Sequence, residues 1–128
     1  RSPWKKLMRN LRLNGHKKKE HDRGNPEHGI LGSSPRREIN VTEKDLKKIY
    51  NKQRGKCHWF GIDLNPMDIF IPHNPMAMSV DRIDNSKDYI EGNIVICCRM
   101  ANLGRSTCDY KRFKKIIKQI KNALSKSN

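Results

Sequence analysis

The sequence has few apolar side chains and very few aromatic ones. Hydrophobic residues make up 34% of the 128 positions, and aromatic residues make up 6%. No apolar run approaches the roughly 20 residues that a membrane-spanning helix needs, so no membrane association is expected. A chain of this length and composition predicts a single domain with a modest core. The scarcity of aromatic rings leaves few surfaces for stacking unpaired bases, which argues mildly against an RNA-binding protein.

Acidic side chains are also scarce, and they are unevenly placed. The chain has 13 Asp and Glu against 28 Lys and Arg, for a net charge of +15. Residues 1–56 carry a net charge of +11, residues 57–98 carry −4 and residues 99–128 carry +8. In a metal-dependent enzyme that acts on a polyanion, carboxylates hold the cation while basic flanks bind phosphates. The segregation therefore predicts a nucleic-acid partner.

Cysteine is limited to four residues, and no secretory signal peptide is recognisable. Free thiols in a basic chain of this kind indicate a reducing compartment, so we expect no disulfides and an intracellular location. The chain begins at Arg1 and not at Met, which is typical of a fragment or a processed form.

Residues 78–105 contain the most informative pattern of the chain. Two apolar runs, Met78 to Val80 and Ile94 to Ile96, lie on either side of a polar loop with turn-forming residues. The second run is β-branched and favours a strand, and a short helical segment follows it. The pattern predicts a hairpin packed against one helix.

Such packing places the end of the first strand beside the helix, so that Asp81 and Asn102 can face each other. A carboxylate oxygen and an amide oxygen suit a hard divalent cation such as Mg²⁺. The two residues are therefore candidate metal ligands.

Asp81-Arg82, Asn93 after a glycine, and Asn102 on the helix together resemble the HNH nucleases, also called His-Me finger or ββα-metal nucleases. The match is closest to the phage and restriction-type branch, and it covers roughly residues 42–113. The resemblance implies an α+β fold, a small single domain with a ββα-metal core flanked by basic helices. It also implies that Asp81 and Asn102 bind Mg²⁺ or Mn²⁺ and that Asn93 braces the hairpin loop.

The residue after Asp81 departs from the pattern of the family. Many members have a His there that acts as the general base, whereas Arg82 stays protonated and cannot accept a proton. Arg82 is instead expected to bind the scissile phosphate. Three alternatives remain for the base: His73, whose side chain has the most suitable pKa; Tyr89 in the hairpin loop; and water activated by the metal alone.

The sequence divides into a basic segment, residues 1–41, and a nuclease-like domain, residues 42–128, which contains the hairpin. Residues 1–13 predict a basic amphipathic helix that Asn14-Gly15 ends, followed by a polar loop or arm to about Glu38. The candidate DNA-binding residues are Lys5, Lys6, Arg9, Arg12, Lys17, Lys18, Lys19, Arg99 and Arg105.

Two further helices are predicted in the nuclease-like domain. Thr42 starts the first, with a capping box in which Asp45 takes the place of Glu. Asp109 caps the last, predicted over residues 110–124, and the apolar stripe of that helix packs on the core or forms a homodimer face. Between them, Trp59 or Phe60 is expected to anchor the core.

Many HNH relatives carry two cysteine pairs that bind structural zinc. Here Cys57 and Cys98 remain, while Phe60 and Ala101 stand where the resemblance implies the second cysteine of each pair. Apolar packing of Phe60 beside Ala101 accounts for both changes, so no structural zinc is expected. The alternative is a zinc site built from Cys57, His58, Cys97 and Cys98.

These observations predict a metal-dependent DNA endonuclease, acting as a monomer or a homodimer. Two alternatives stay open. One is a nucleic-acid-binding module whose cleavage site has decayed, which Arg82 suggests. The other is a basic RNA-binding protein, which the composition alone suggests.

Overall fold

The computed structural model describes the backbone of residues 1–23 and 37–126, and the side chains of residues 1–13 and 37–126. Within these ranges the α-helices are α1 Pro3–Arg23, α2 Glu43–Lys52, α3 Arg99–Arg105 and α4 Tyr110–Lys126. The strands are β1 Ile39–Asn40, β2 Met78–Arg82, β3 Tyr89–Ile90 and β4 Ile94–Cys98. A 3₁₀ helix spans Pro66–Phe70, within a segment predicted to be a loop.

The hairpin of β2 and β4 is the structural centre of the molecule. The strands are antiparallel, with Ser79 opposite Cys97 and Asp81 opposite Val95. All five residues of β4 are buried, because α3 packs against both strands while α2 packs against β4. The predicted strand, loop, strand and helix are confirmed, and both strands run two residues further than the apolar runs.

α1 contributes directly to the core. Leu7, Met8 and Leu11 are buried at helical spacing, and α1 packs against α2, the 3₁₀ helix and β2. Residues on both sides of the predicted boundary between residues 41 and 42 therefore share one hydrophobic core. The helix continues to Arg23, so the predicted stop at Asn14-Gly15 is wrong. A single interior glycine costs only about 1 kcal/mol, which the following Lys-rich, helix-favouring sequence tolerates.

α2 begins and ends as its local sequence indicates. The Thr42 hydroxyl accepts a bond from the Asp45 N–H at 3.3 Å, and the Asp45 carboxylate accepts one from the Thr42 N–H at 2.9 Å, so the predicted capping box is confirmed. Just beyond the helix, the Gln53 amide donates to the Ile96 carbonyl at 2.7 Å and accepts from the Ile96 N–H at 2.9 Å. This side chain satisfies the free edge of β4 and fixes α2 against the hairpin.

Gly55 follows α2 at a position that only glycine fits. Its φ is +70°, and a Cβ there would lie 2.9 Å from the Tyr50 hydroxyl. That hydroxyl donates to the Leu64 carbonyl at 2.9 Å, so it cannot easily move away.

The last helix and the central aromatic residue also agree with the predictions. The Asp109 carboxylate accepts bonds from the N–H groups of Lys111 and Arg112, which confirms the N-cap. Trp59 is buried and contacts the Phe113 ring edge-on, with 4.8 Å between centroids. α4 is thus anchored by its first half, and the whole chain described forms one small α+β domain. No described helix is both long and apolar enough to cross a membrane.

Candidate functional site

Asp81 lies near the end of β2 with its carboxylate inside the protein. The residue is 5% exposed, and its Oδ2 accepts bonds from Trp59 Nε1 and Arg105 Nη1, each at 2.9 Å. Both bonds end on Oδ2. Oδ1 is therefore the carboxylate oxygen that neither donor occupies.

Arg105, predicted to contact DNA, is buried at 1% exposure. Besides Asp81 it donates to the carbonyls of Ile83 at 2.8 Å and Cys108 at 3.0 Å, and it also donates to the Arg82 carbonyl. The guanidinium lies 5.4 Å from the centre of the Trp59 ring. The prediction that Arg105 contacts DNA is wrong, because its polar hydrogens are directed at internal acceptors.

Asn102 projects from α3 onto the same strand. Its Nδ2 donates to Ser79 Oγ at 2.6 Å and to the Val80 carbonyl at 3.2 Å, so its Oδ1 takes part in neither bond. Asn102 and Arg105 are one helical turn apart and contact successive parts of β2. Asp81 and Asn102 thus both lie at the interface between β2 and α3. That they face each other as ligands of one metal ion stays a prediction.

Asn93 braces the hairpin loop. Its Oδ1 accepts from the Asp84 N–H at 2.9 Å, and its Nδ2 donates to the carbonyls of Asp84 at 3.2 Å and Asp88 at 2.9 Å. The residue is 6% exposed, so these bonds are shielded from water. These contacts agree with the expectation that Asn93 braces the hairpin loop, and they hold the loop beside Asp81.

Arg82 also serves the loop. Its Nη1 donates to the carbonyls of Asn85 at 2.9 Å and Lys87 at 3.1 Å, and its guanidinium lies 5.0 Å from the centre of the Tyr89 ring. The side chain is half-buried. Nη2 takes part in neither bond.

A cleft of about 650 Å³ opens beside Asn102, between α1, the 3₁₀ segment and β2. Its lining includes Lys6, His73, Ser79, Arg99 and Asn102. Two cations, an imidazole and an amide therefore share one concave surface. Asp81 is not among the residues that line the cleft, where Met78, Ser79 and Val80 represent β2.

His73 is held at the cleft in an unusual backbone conformation. Its φ is +59°, a left-handed value that is uncommon for residues other than glycine. The following loop is tied to α3, because the N–H groups of Arg99 and Met100 donate to the carbonyls of Ala77 at 2.8 Å and Pro75 at 3.0 Å. These bonds keep the segment that carries His73 next to the helix that carries Asn102.

The remaining predicted DNA-binding residues form a more open surface. Lys5, Arg9 and Arg12 are exposed on α1, and Arg99 is exposed at the start of α3. The side chains of Lys17, Lys18 and Lys19 lie outside the described residues. The structure therefore brings Lys6 and Arg99 to the cleft and leaves Lys5, Arg9 and Arg12 beside it.

The cysteines form a buried cluster. Cys57 Sγ lies 3.9 Å from Cys98 Sγ and accepts bonds from the N–H groups of Phe60 and Cys98, each at 3.4 Å. Burial raises the pKa of Cys97 and of Cys98. Among the described residues, no group of three or more His, Cys, Asp or Glu side chains is arranged to hold a metal.

The ligands available at β2 and α3 are oxygens. Oδ1 of Asp81 and Oδ1 of Asn102 are a carboxylate oxygen and an amide oxygen, the types that Mg²⁺ and Mn²⁺ prefer. Mg²⁺ keeps several waters and commonly takes only one or two protein carboxylates. These two oxygens are therefore of the type that such a cation binds. The positive charge of Arg105, which is paired with Asp81, disfavours a second cation there.

The sequence did not suggest a contact between His58 and Tyr110. His58 Nε2 lies 3.0 Å from the Tyr110 hydroxyl, beside the Trp59 ring. Burial lowers the pKa of His58, the Asp81 carboxylate raises it, and Lys114 and Arg105 lower it. A separation of 52 residues gives no local signal for this pair.

Together these elements define an α+β domain in which a hairpin and a short helix present polar side chains to a basic cleft. No protein-family model matches the chain, and comparison with curated proteins finds no match.

Proposed function

We propose that the protein is a metal-dependent DNA endonuclease that hydrolyses phosphodiester bonds. The observation that carries the proposal is the packing of α3 on β2, which puts Asn102 next to the strand that carries Asp81 and at the wall of a cleft containing Lys6, His73 and Arg99. Basic residues of α1 continue outward from that cleft. Cations at the wall and rim of a cleft suit a phosphodiester backbone.

Each residue has a separate role in the proposal. Asp81 and Asn102 would hold Mg²⁺ or Mn²⁺, and the bound cation would supply a Lewis acid for the phosphate oxygens. Lys6 and Arg99 bind the phosphates on either side of the cut. Arg82 contacts the scissile phosphate through the nitrogen that the loop carbonyls leave free.

His73 is the proposed general base. Imidazole is the side chain best suited to accept a proton near neutral pH, and His73 lines the cleft together with Asn102. Its left-handed backbone supports the choice, because such conformations cluster at functional sites. Tyr89 also lines the cleft, but its ring lies against Arg82.

The test is incubation of supercoiled plasmid with the protein and Mg²⁺ or Mn²⁺, with EDTA as the blank. Asp81→Asn is preferable to Asp81→Ala, because an amide keeps acceptors for Trp59 and Arg105 while weakening a cation site. We expect metal-dependent nicking or linearisation that Asp81→Asn and Asn102→Ala abolish. Asn51→Ala, an exposed change on α2, serves as the control and leaves cleavage intact. Undiminished cleavage by both site variants contradicts the proposal.

A second candidate is a nucleic-acid-binding module without cleavage. The ion pair between Asp81 and Arg105 supports it, because the guanidinium already neutralises the carboxylate. This candidate predicts tight, salt-sensitive binding of DNA with no product at any concentration of Mg²⁺ or Mn²⁺.

A further inference from the structure

α4 carries a dense set of positive charges. Its basic side chains, all exposed, are Lys111, Arg112, Lys114, Lys115, Lys118, Lys121 and Lys126. The helix contains no acidic residue, and the salt bridges found among the described residues involve other cations. Within the described part of the chain, these charges therefore have no carboxylate partner.

Part of this charge lies on the side of α4 that faces away from the core. Phe113 and Ile117 are the buried residues of the helix. At 3.6 residues per turn, Lys111, Lys115 and Lys118 lie opposite them. Packing of the domain thus turns these three lysines outward.

The second half of α4 is exposed to solvent. Every residue from 118 to 126 is exposed, and at a rise of 1.5 Å per residue this portion is about 14 Å long. Lysines three and four positions apart, such as Lys111 with Lys115 and Lys114 with Lys118, repel each other and disfavour the helix. A polyanion on the outer face would remove that repulsion.

We propose that the outer face of α4 is a second phosphate-binding surface, which contacts the backbone of duplex DNA outside the cleft. None of the residues that line the cleft belongs to α4, so the two sets of cations are separate. Contacts from lysine to the phosphates hold the duplex without reading its bases. That the polyanion is DNA rests on the proposed function, whereas the position of the binding surface rests on the charges of α4 alone.

The experiment measures binding of a duplex of about 30 base pairs, roughly three helical turns, by fluorescence anisotropy in EDTA over a series of salt concentrations. In one variant Lys111, Lys114, Lys115 and Lys118 are all replaced by Gln. The control replaces Lys44, Lys47, Lys48 and Lys52, which are exposed on α2, and so removes the same net charge. Glutamine keeps good helix propensity, and circular dichroism checks that both variants are folded.

We expect the α4 variant to bind at least tenfold more weakly at low salt. Its slope of log K against log salt should fall by about 2 to 4, since each lost phosphate contact removes about 0.9. The control should lose less than about one unit of slope. Equal losses in the two variants would overturn the inference, because net charge and not the position of α4 would then govern binding. A loss confined to duplex RNA of the same sequence would overturn it as well.

The outcome is separable from that of the cleavage test. If the protein never cuts plasmid but the slope of log K against log salt falls in the α4 variant, the proposed endonuclease is contradicted and the phosphate-binding surface on α4 is supported. If cleavage is normal and the salt slope is the same in the α4 variant as in the parent, only the inference about α4 is overturned.

Discussion

Arg105 Nη1 and Asp81 Oδ2 form an ion pair at 2.9 Å inside the protein, with side-chain exposures of 0% and 6%. The guanidinium also donates to carbonyls on both sides of the pair, from Ile83 in the hairpin and from Cys108 after α3. One side chain therefore joins the end of β2, the hairpin loop and the turn that leads into α4. The candidate metal ligand Asp81 is positioned by this residue.

Removing the positive partner should be strongly destabilising. Arg105→Met leaves the Asp81 carboxylate buried without its counter-charge, and we expect a loss of about 3–5 kcal/mol in the free energy of unfolding. Urea denaturation followed by tryptophan fluorescence measures it. Adding Asp81→Asn should recover part of the loss, so the double change costs less than the sum of the single ones. Strict additivity would show that the two residues do not interact.

Replacing His73 separates its chemical role from its backbone role. A left-handed conformation costs an ordinary L-residue about 1–2 kcal/mol, so His73→Gly should leave stability within about 1 kcal/mol of the parent or raise it. Loss of a general base should lower the cleavage rate by about 10²- to 10⁴-fold. Thermal unfolding and plasmid cleavage measure the two effects. His73→Asn, which tolerates the same φ but is no base, should lose activity equally; full activity in either variant rules out His73 as the base.

Local patterns predicted the hairpin, the capping box and the N-cap of α4. Ile94, Val95 and Ile96 are β-branched and adjacent, and the bonds between Thr42 and Asp45 span three residues. Such signals are contained within a few positions of sequence. The fold class and the placement of Asn102 on β2 follow from them.

The environment of Arg105 could not be predicted in the same way. Its partners lie 24 residues away at Asp81, 22 away at Ile83 and three away at Cys108, and only folding brings them together. In the sequence, a basic residue at the end of a short helix looks like any surface arginine. The parallel pairing of β1 with β3 was missed for a related reason, since two-residue strands carry almost no periodic signal.

Asn93 should be necessary for the shape of the hairpin loop. Asn93→Ala leaves the Asp84 N–H and the carbonyls of Asp84 and Asp88 without their partner, and we expect a loss of about 1–3 kcal/mol or more in stability. Amide hydrogen exchange should rise in residues 84–88. Asn85→Ala is the matched control, because it removes a single side-chain bond, from Asn85 Nδ2 to the Thr107 carbonyl at 3.3 Å, and keeps the backbone carbonyl that Arg82 contacts. Equal exchange in the two variants would show that Asn93 is not the brace.

The stability of the fold should fall below neutral pH because of His58. Burial lowers its pKa from the ordinary value of 6.5, so the unfolded chain binds a proton that the folded chain does not. The free energy of unfolding therefore decreases as the pH falls below 6.5, and it levels off below the folded pKa, where both states are protonated. Urea denaturation between about pH 5 and pH 8, the range in which histidine titrates, measures the slope.

His58→Gln should reduce that slope, since glutamine does not titrate and can still bond to the Tyr110 hydroxyl. Tyr110→Phe should keep it, because burial and not the hydroxyl is the main cause of the lowered pKa. If Tyr110→Phe removed the slope while His58 stayed buried, the hydrogen bond would be the dominant influence. An unchanged slope in His58→Gln would assign the pH dependence to other groups.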